Sequence, residues 1–314
     1  MARFRTGLMG IARGLLAAAL LSGAAAAVAA AGPARAEASL AQDSANLTER
    51  VHSAEISFGL YALGSKAFDL ALGLERRSDS SPDAVRIDTT MRTQGFLDLL
   101  MSFELTGQVT ARWQDGRMLP VRYRTESDGS WSKRSIRIAW GADGLPVAEV
   151  QPPNDEDDRE PVPDSLKRDT IDPTSAMIAR ALRPGTEPPC RGHDQIFDGR
   201  RRYNLHFEPV GPDILRPHNR SAYSGPAFKC RVKTEPLAGY SRAYLAEWSE
   251  RDEQPAHIWL ARPPGADAWL PVQIEGGFRL GSVSGWIAGA RINGRTWLEP
   301  LGMIRADVLQ SGVQ

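Results

Sequence analysis

Cysteine is almost missing from this chain of 314 residues; the two present are Cys190 and Cys230. That count excludes a disulfide-dense scaffold. Neither Cys lies near the N-terminus, so a lipid-modified N-terminal cysteine is excluded as well. Histidine is scarce too: His52, His193, His206, His218 and His257 are scattered, with no pair at i, i+4 spacing. H-E-x-x-H, G-x-S-x-G, G-x-G-x-x-G and the phosphate loop are all missing. The run Gly281-Ser282-Val283-Ser284-Gly285 puts Val283 where a nucleophile elbow needs serine. An excess of either charge is lacking, with 38 basic and 38 acidic residues. Long apolar runs are lacking after the first 36 residues, so no later segment suits a membrane span.

Those first residues carry the clearest signal. Arg3, Arg5 and Arg13 precede an Ala- and Leu-rich run from Leu15 to Ala31, and Ala34-Arg35-Ala36 closes the segment. This pattern predicts a secretory signal peptide over 1–36, cleaved between Ala36 and Glu37. No twin-Arg pair precedes the apolar run, which favours the general secretion route. An exported, periplasmic protein is therefore expected. Four of the arginines leave with the signal, so 34 basic residues then face 38 acidic ones. A mildly acidic chain has no general attraction to phosphate backbones, which argues against nucleic acid as a partner. In an oxidising compartment the two cysteines should form one Cys190–Cys230 disulfide.

Beyond a short polar lead-in over 37–50, alternation with period two dominates. Ile56, Phe58 and Leu60 alternate with smaller or polar residues, as do Phe68, Leu70, Leu72 and Leu74. Leu63-Gly64-Ser65 between those runs suits a hairpin turn. Ile136, Ile138 and Trp140, then Tyr203, Leu205 and Phe207, then Leu270, Val272 and Ile274 repeat the pattern. Asp115-Gly116, Asp128-Gly129, Asp143-Gly144 and Asp198-Gly199 punctuate the runs with tight-turn chemistry. The expected fold is mainly β: a curved antiparallel sheet or half-open barrel, with two short helices. One helix is expected at Gln94–Glu104. The other begins with Asp172 as N-cap and Pro173 in the first turn, and continues from Ser175 to Leu182. The acidic, proline-rich stretch 151–164 reads as an exposed loop within a single domain spanning 51–314.

Three features are candidate sites. The Gln94–Glu104 segment carries Phe96, Leu97, Leu99, Leu100, Met101 and Phe103, apolar on nearly every side. A helix of that kind is expected either to complete the core or to lid an apolar cavity that takes a ligand. Arg137, Arg202 and Arg231 lie on polar strand faces and would contact an anionic group if their strands were neighbours. Asp155, Glu156, Asp157 and Asp158 read as a solvated loop rather than a calcium site, since EF-hand spacing is absent. Trp259, Trp269 and Trp286 read as packing residues.

Several motifs together resemble the exported bacterial family of domains of unknown function numbered 3108 (DUF3108). They are TQGFLDLLMSFEL and the SDGSW hairpin, then IDPTSAM, IFDGRRRYNLHF and AFKCRV, and finally HIWLA, WLPVQIE and GSVSGWI. The resemblance runs from about Val51 to Ala290 and implies fold and location rather than an activity. A looser likeness, in the order and flavour of strands, is to periplasmic lipoprotein carriers of the LolA/LolB type. That likeness implies an unclosed barrel lidded by helices around a cavity for acyl chains.

The expected function is non-enzymatic binding of an apolar or amphiphilic ligand, lipid or a lipidated partner, in the cell envelope. No catalytic residue, cofactor or metal ligand is expected. A structural or assembly factor acting through protein contacts is the second reading. A hydrolase whose site assembles only in three dimensions is the third. The sequence carries no indication of oligomeric state.

Overall fold

The computed structural model describes residues 49–301, except 79–82, 131, 153–158, 184, 186, 250–254 and 279–280. The signal segment with Ala36 and Glu37, most of the lead-in, and the acids at 155–158 lie outside the described residues.

Fourteen strands among the described residues form one antiparallel sheet. In the first half these are β1 (Ser53–Ala62), β2 (Ser65–Arg77), β3 (Asp83–Thr93), β4 (Phe103–Gln114), β5 (Arg117–Gly129), β6 (Ser132–Trp140) and β7 (Pro146–Gln151). In the second half they are β8 (Gly192–Phe197), β9 (Arg202–Leu215), β10 (Gly225–Ala238), β11 (Ala256–Ala261), β12 (Leu270–Phe278), β13 (Gly281–Ile292) and β14 (Arg295–Leu298). Four helices accompany them: α1 (Phe96–Leu100), α2 (Asp164–Lys167), α3 (Pro173–Ala181) and α4 (Arg242–Ser249).

Each half is a meander, and β1 pairs with β13 to join them, from Ala54 opposite Ile292 to Ala62 opposite Val283. The path runs from β7 through β1 and β13 to β8, with β14 beside β13. Strands on both sides of the 151–164 loop thus share one sheet. β7 and β8, the two ends of the path, do not pair among the described residues, so the sheet rolls up without closing.

The turns follow their residues. Leu63-Gly64, Asp115-Gly116 and Asn293-Gly294 each take two positive φ angles, the geometry that matches the twist of a two-residue hairpin. Asp128-Gly129 departs from expectation: both residues end β5, and the turn falls at Ser130. Ser130 donates its backbone N–H to Ser102 O at 3.0 Å, which draws the turn beyond the Asp-Gly pair.

One sheet face turns inward and carries Ile56, Phe58 and Leu60 beside Leu74, Ile87, Val109, Ile138 and Ile287, all buried. Helix α3 lies inside this curl. It packs against β4 and β5 on one side and β8 on the other. Ile178, Ala181 and Leu182 join the core of the first half, while Ala176 joins that of the second, with Ile196, Leu205 and Ile258. The expected second helix is therefore present, with Asp172 capping it through a 2.8 Å bond from Ser175 N–H. Its placement fills the interior that the carrier likeness implied would be a cavity.

Arg180 anchors α3. Its guanidinium meets Asp194 Oδ2 at 2.8 Å, donates to the carbonyls of Pro189 and Arg191, and lies 3.7 Å over the Phe207 ring. The Cys190–Cys230 disulfide ties the same region to β10, with Cα atoms 5.5 Å apart. The β8–β9 turn tucks into the roll as well. Gly199 takes φ 91°, and a Cβ there would stand 2.7 Å from Ile136 Cγ2 on β6. One end of the sheet therefore sits inside the other.

Outside, the far part of the long β9–β10 hairpin folds over the sheet. His218 stacks on Trp286 at 4.6 Å, and Arg220 lies 4.5 Å over Tyr61 while donating to Gly64 O. Ala288 bulges out of the β1–β13 ladder, since Phe58 faces Ile287 and Ser57 faces Gly289. Ile287 O and Ala288 O accept from Ala222 N–H and Leu301 N–H, each at 2.8 Å.

Candidate functional site

A half-open cleft of about 430 Å³ sits at the end of the roll where β2 stops, β3 starts and β4 turns into β5. The inward face of each strand reaches this mouth and changes character there. On β2 the inner positions run Leu70, Leu72, Leu74 and then Arg76. On β3 they run Ile87, Val85 and then Asp83. On β4 they run Val109, Ala111 and then Trp113. Cross-strand register brings these ends together, with Asp83 opposite Trp113 and Arg76 opposite Val85. Leu182, at the C-terminal end of α3, and Val51, leading into β1, contribute apolar lining. Gln114, Asp115, Gly116, Arg50 and Asp267 complete it.

The charges in the mouth are organised in pairs. Arg76, whose side chain is 8% exposed, meets Asp83 Oδ2 at 2.6 Å through Nη2 and lies 5.1 Å over the Trp113 ring. Asp267 Oδ1 accepts from Arg262 at 3.5 Å and from Gly185 N–H at 3.4 Å. Asp115 holds its place through the left-handed turn, at φ 51°. The lining offers guanidinium and amide donors, carboxylate acceptors and one indole, and it includes no imidazole, thiol or hydroxyl side chain.

Deeper in the roll lies a second polar group. Asp172 is fully buried, and burial pushes its carboxyl up to about 6 against the pull of Ser175. Burial, followed by Asp172 and Asp198, holds the nearby Tyr123 phenol well above its ordinary value, so it stays neutral. Asp198 binds Arg201 at 2.8 Å and accepts its backbone N–H, bracing the β8–β9 turn. On the outer face, burial first, then Lys229 and Arg231, lower the His257 imidazole to about 4.

The structure places the sequence candidates elsewhere. Helix α1 has five residues rather than three turns, because Phe103 already belongs to β4 and Met101 has extended backbone. The Thr93 hydroxyl ends the helix there by accepting Phe103 N–H at 3.1 Å. The cleft is not lined by α1, which stands at the opposite end of the roll. Met101 is buried, Leu97 packs on the core, and Phe103 meets Phe68 edge-on at 6.0 Å. Leu99 and Leu100 face outward, 83% and 55% exposed. The Phe96 side chain lies outside the described residues.

Arg137, Arg202 and Arg231 do not form one stripe. Arg202 is 4% exposed and spends its donors on Leu166 O, Tyr203 O, Asn204 Oδ1 and Gln195 Oε1. Arg231 sits 3.6 Å from Glu208, and Arg137, on β6, 3.9 Å from Glu126. Alternation had placed all three on polar faces, but it could not tell that α2 covers one of them. Trp259 and Trp269 are buried as expected.

Arg76, Asp83 and Trp113 were not singled out from sequence. Their signal was a polar or indole residue at the end of an inward-facing alternating run.

A family model described as "Protein of unknown function (DUF3108)" matches residues 56–285. No curated protein matches the chain. Among solved structures the chain is similar to a β-barrel-like protein of domain of unknown function DUF1849 from Brucella abortus. The identity is 11%, with 78% of this chain and 99% of that chain covered and a TM-score of 0.39.

Proposed function

The chain belongs to the DUF3108 family of proteins of unknown function, and from that premise we propose that it is an exported, non-enzymatic envelope protein. It contacts lipid or a lipidated partner through the α1 turn. The observation that carries this reading is the outward pair Leu99 and Leu100 beside the buried Met101. Adjacent exposed leucines on a structured turn put apolar surface where a partner can cover it. The secretory pattern of the first 36 residues and the disulfide support a periplasmic location. Because α3 fills the roll, the lipid is met at the surface rather than carried inside.

Flotation with vesicles of phosphatidylethanolamine and phosphatidylglycerol tests this. Wild-type protein should float with the vesicles. A Leu99→Asp/Leu100→Asp variant should bind at least about 100-fold more weakly, since each leucine buried on binding is worth about 1.5–3 kcal/mol. Both side chains are exposed, so the variant should keep the wild-type circular dichroism. A wild-type protein that stays wholly with the soluble fraction rejects the lipid reading and leaves the assembly-factor reading in its place.

A further inference from the structure

We propose that the mouth cleft binds a neutral saccharide of one or two pyranose rings. The cleft volume of about 430 Å³ lies in the range of small-molecule sites. Its charge pattern decides the chemistry. A phosphate or other anion needs surplus positive charge, and here Arg76 is already committed to Asp83 while aspartates outnumber arginines in the lining. A free ammonium group finds two of the three lining aspartates already in ion pairs, Asp83 with Arg76 and Asp267 with Arg262. An acyl chain needs a continuous apolar wall, and only Val51, Trp113 and Leu182 supply one.

Sugar hydroxyls fit what remains, because each donates and accepts at once. Carboxylates accept only, guanidinium groups donate only, and the Gln114 amide does both. The Arg76–Asp83 pair and Gln114 beside Asp115 alternate these roles along the lining. Trp113 and Leu182, 8% and 6% exposed, offer a ring only an edge of apolar contact, since Arg76 lies over the indole. The cleft and α1 stand at opposite ends of the roll, so this inference is independent of the lipid contact.

Saturation-transfer NMR with cellobiose and N,N′-diacetylchitobiose as probes tests it. Wild-type protein should transfer saturation to at least one of them at concentrations of about 1–10 mM. Gln114→Ala and Asp115→Asn, both at exposed positions and the latter compatible with the left-handed turn, should each weaken that binding about tenfold with unchanged circular dichroism. No transfer to either sugar overturns the proposal. So does transfer of equal strength in both variants. Binding of inorganic phosphate or of lysophosphatidylcholine in place of the sugars would identify an anion or acyl site and overturn it likewise.

Discussion

The carboxylate of Asp172 accepts the backbone N–H of Ser175 at 2.8 Å, inside a core that leaves the aspartate no solvent contact. That bond holds the first turn of α3, and with it the filling of the roll. Its second oxygen has no hydrogen-bond partner in the structure. The cap is therefore a buried charge only half satisfied.

A pH dependence follows. Burial raises the folded-state value to about 6 from an ordinary 3.8. The folded protein thus holds this proton more tightly than the unfolded chain. The stabilisation is complete below the unfolded value and is lost as pH rises through about 6; it amounts to about 3 kcal/mol. Asp172→Asn keeps an acceptor for Ser175 and removes the ionisation. Urea denaturation at pH 5 and pH 8 should show the variant gaining on wild type by about 1.4 kcal/mol at the higher pH, because more than half of the loss has already occurred by pH 5. A stability difference that is flat with pH would contradict the account.

Gly199 offers a comparison between steric and backbone effects. Gly199→Ala should destabilise by about 2–4 kcal/mol, combining a left-handed φ with the close approach to Ile136. Gly116 shares the positive φ but has nothing within 4 Å of a built Cβ, so Gly116→Ala should cost only about 1 kcal/mol. Thermal unfolding of the two variants side by side measures the difference. Equal losses would mean that the β8–β9 turn is not wedged against β6.

The disulfide joins cysteines 40 residues apart. Chain-entropy arithmetic gives it about 4 kcal/mol of stabilisation. A Cys190→Ser/Cys230→Ser variant should show that loss in denaturant titrations. Thiol labelling of denatured, unreduced wild-type protein should find no reactive cysteine.

Intact-mass analysis of the exported protein should give a chain beginning at Glu37. A mass that retains the first 36 residues would remove the basis for a soluble periplasmic protein.

Much of the fold was legible because its rules are local. Alternation marked the strands, Asp172-Pro173 marked α3, and Leu63-Gly64 and Asp115-Gly116 marked hairpins. The extent of α1 was not legible. Its apolar residues have the composition of a buried helix, yet the Thr93 hydroxyl turns the chain into β4 after five residues. The cleft was hidden for another reason. Arg76, Asp83 and Trp113 are separated in sequence, and only the register of three strands brings them together. Nor does period two tell which face of a strand another part of the chain will cover. Arg202 therefore read as exposed, whereas Leu166 and Gln195 enclose it.

The pairing of β1 with β13 sets an order of events for folding. The first strand of the sheet finds Ile292 and its neighbours only when nearly the whole chain has been made. Until then β1 keeps a bare edge, and the meander that starts with it cannot be joined to the later one. Such distant partners make folding slow, and an unpaired edge invites other chains. Truncation before β13 should therefore leave no half-stable intermediate, but a chain that aggregates.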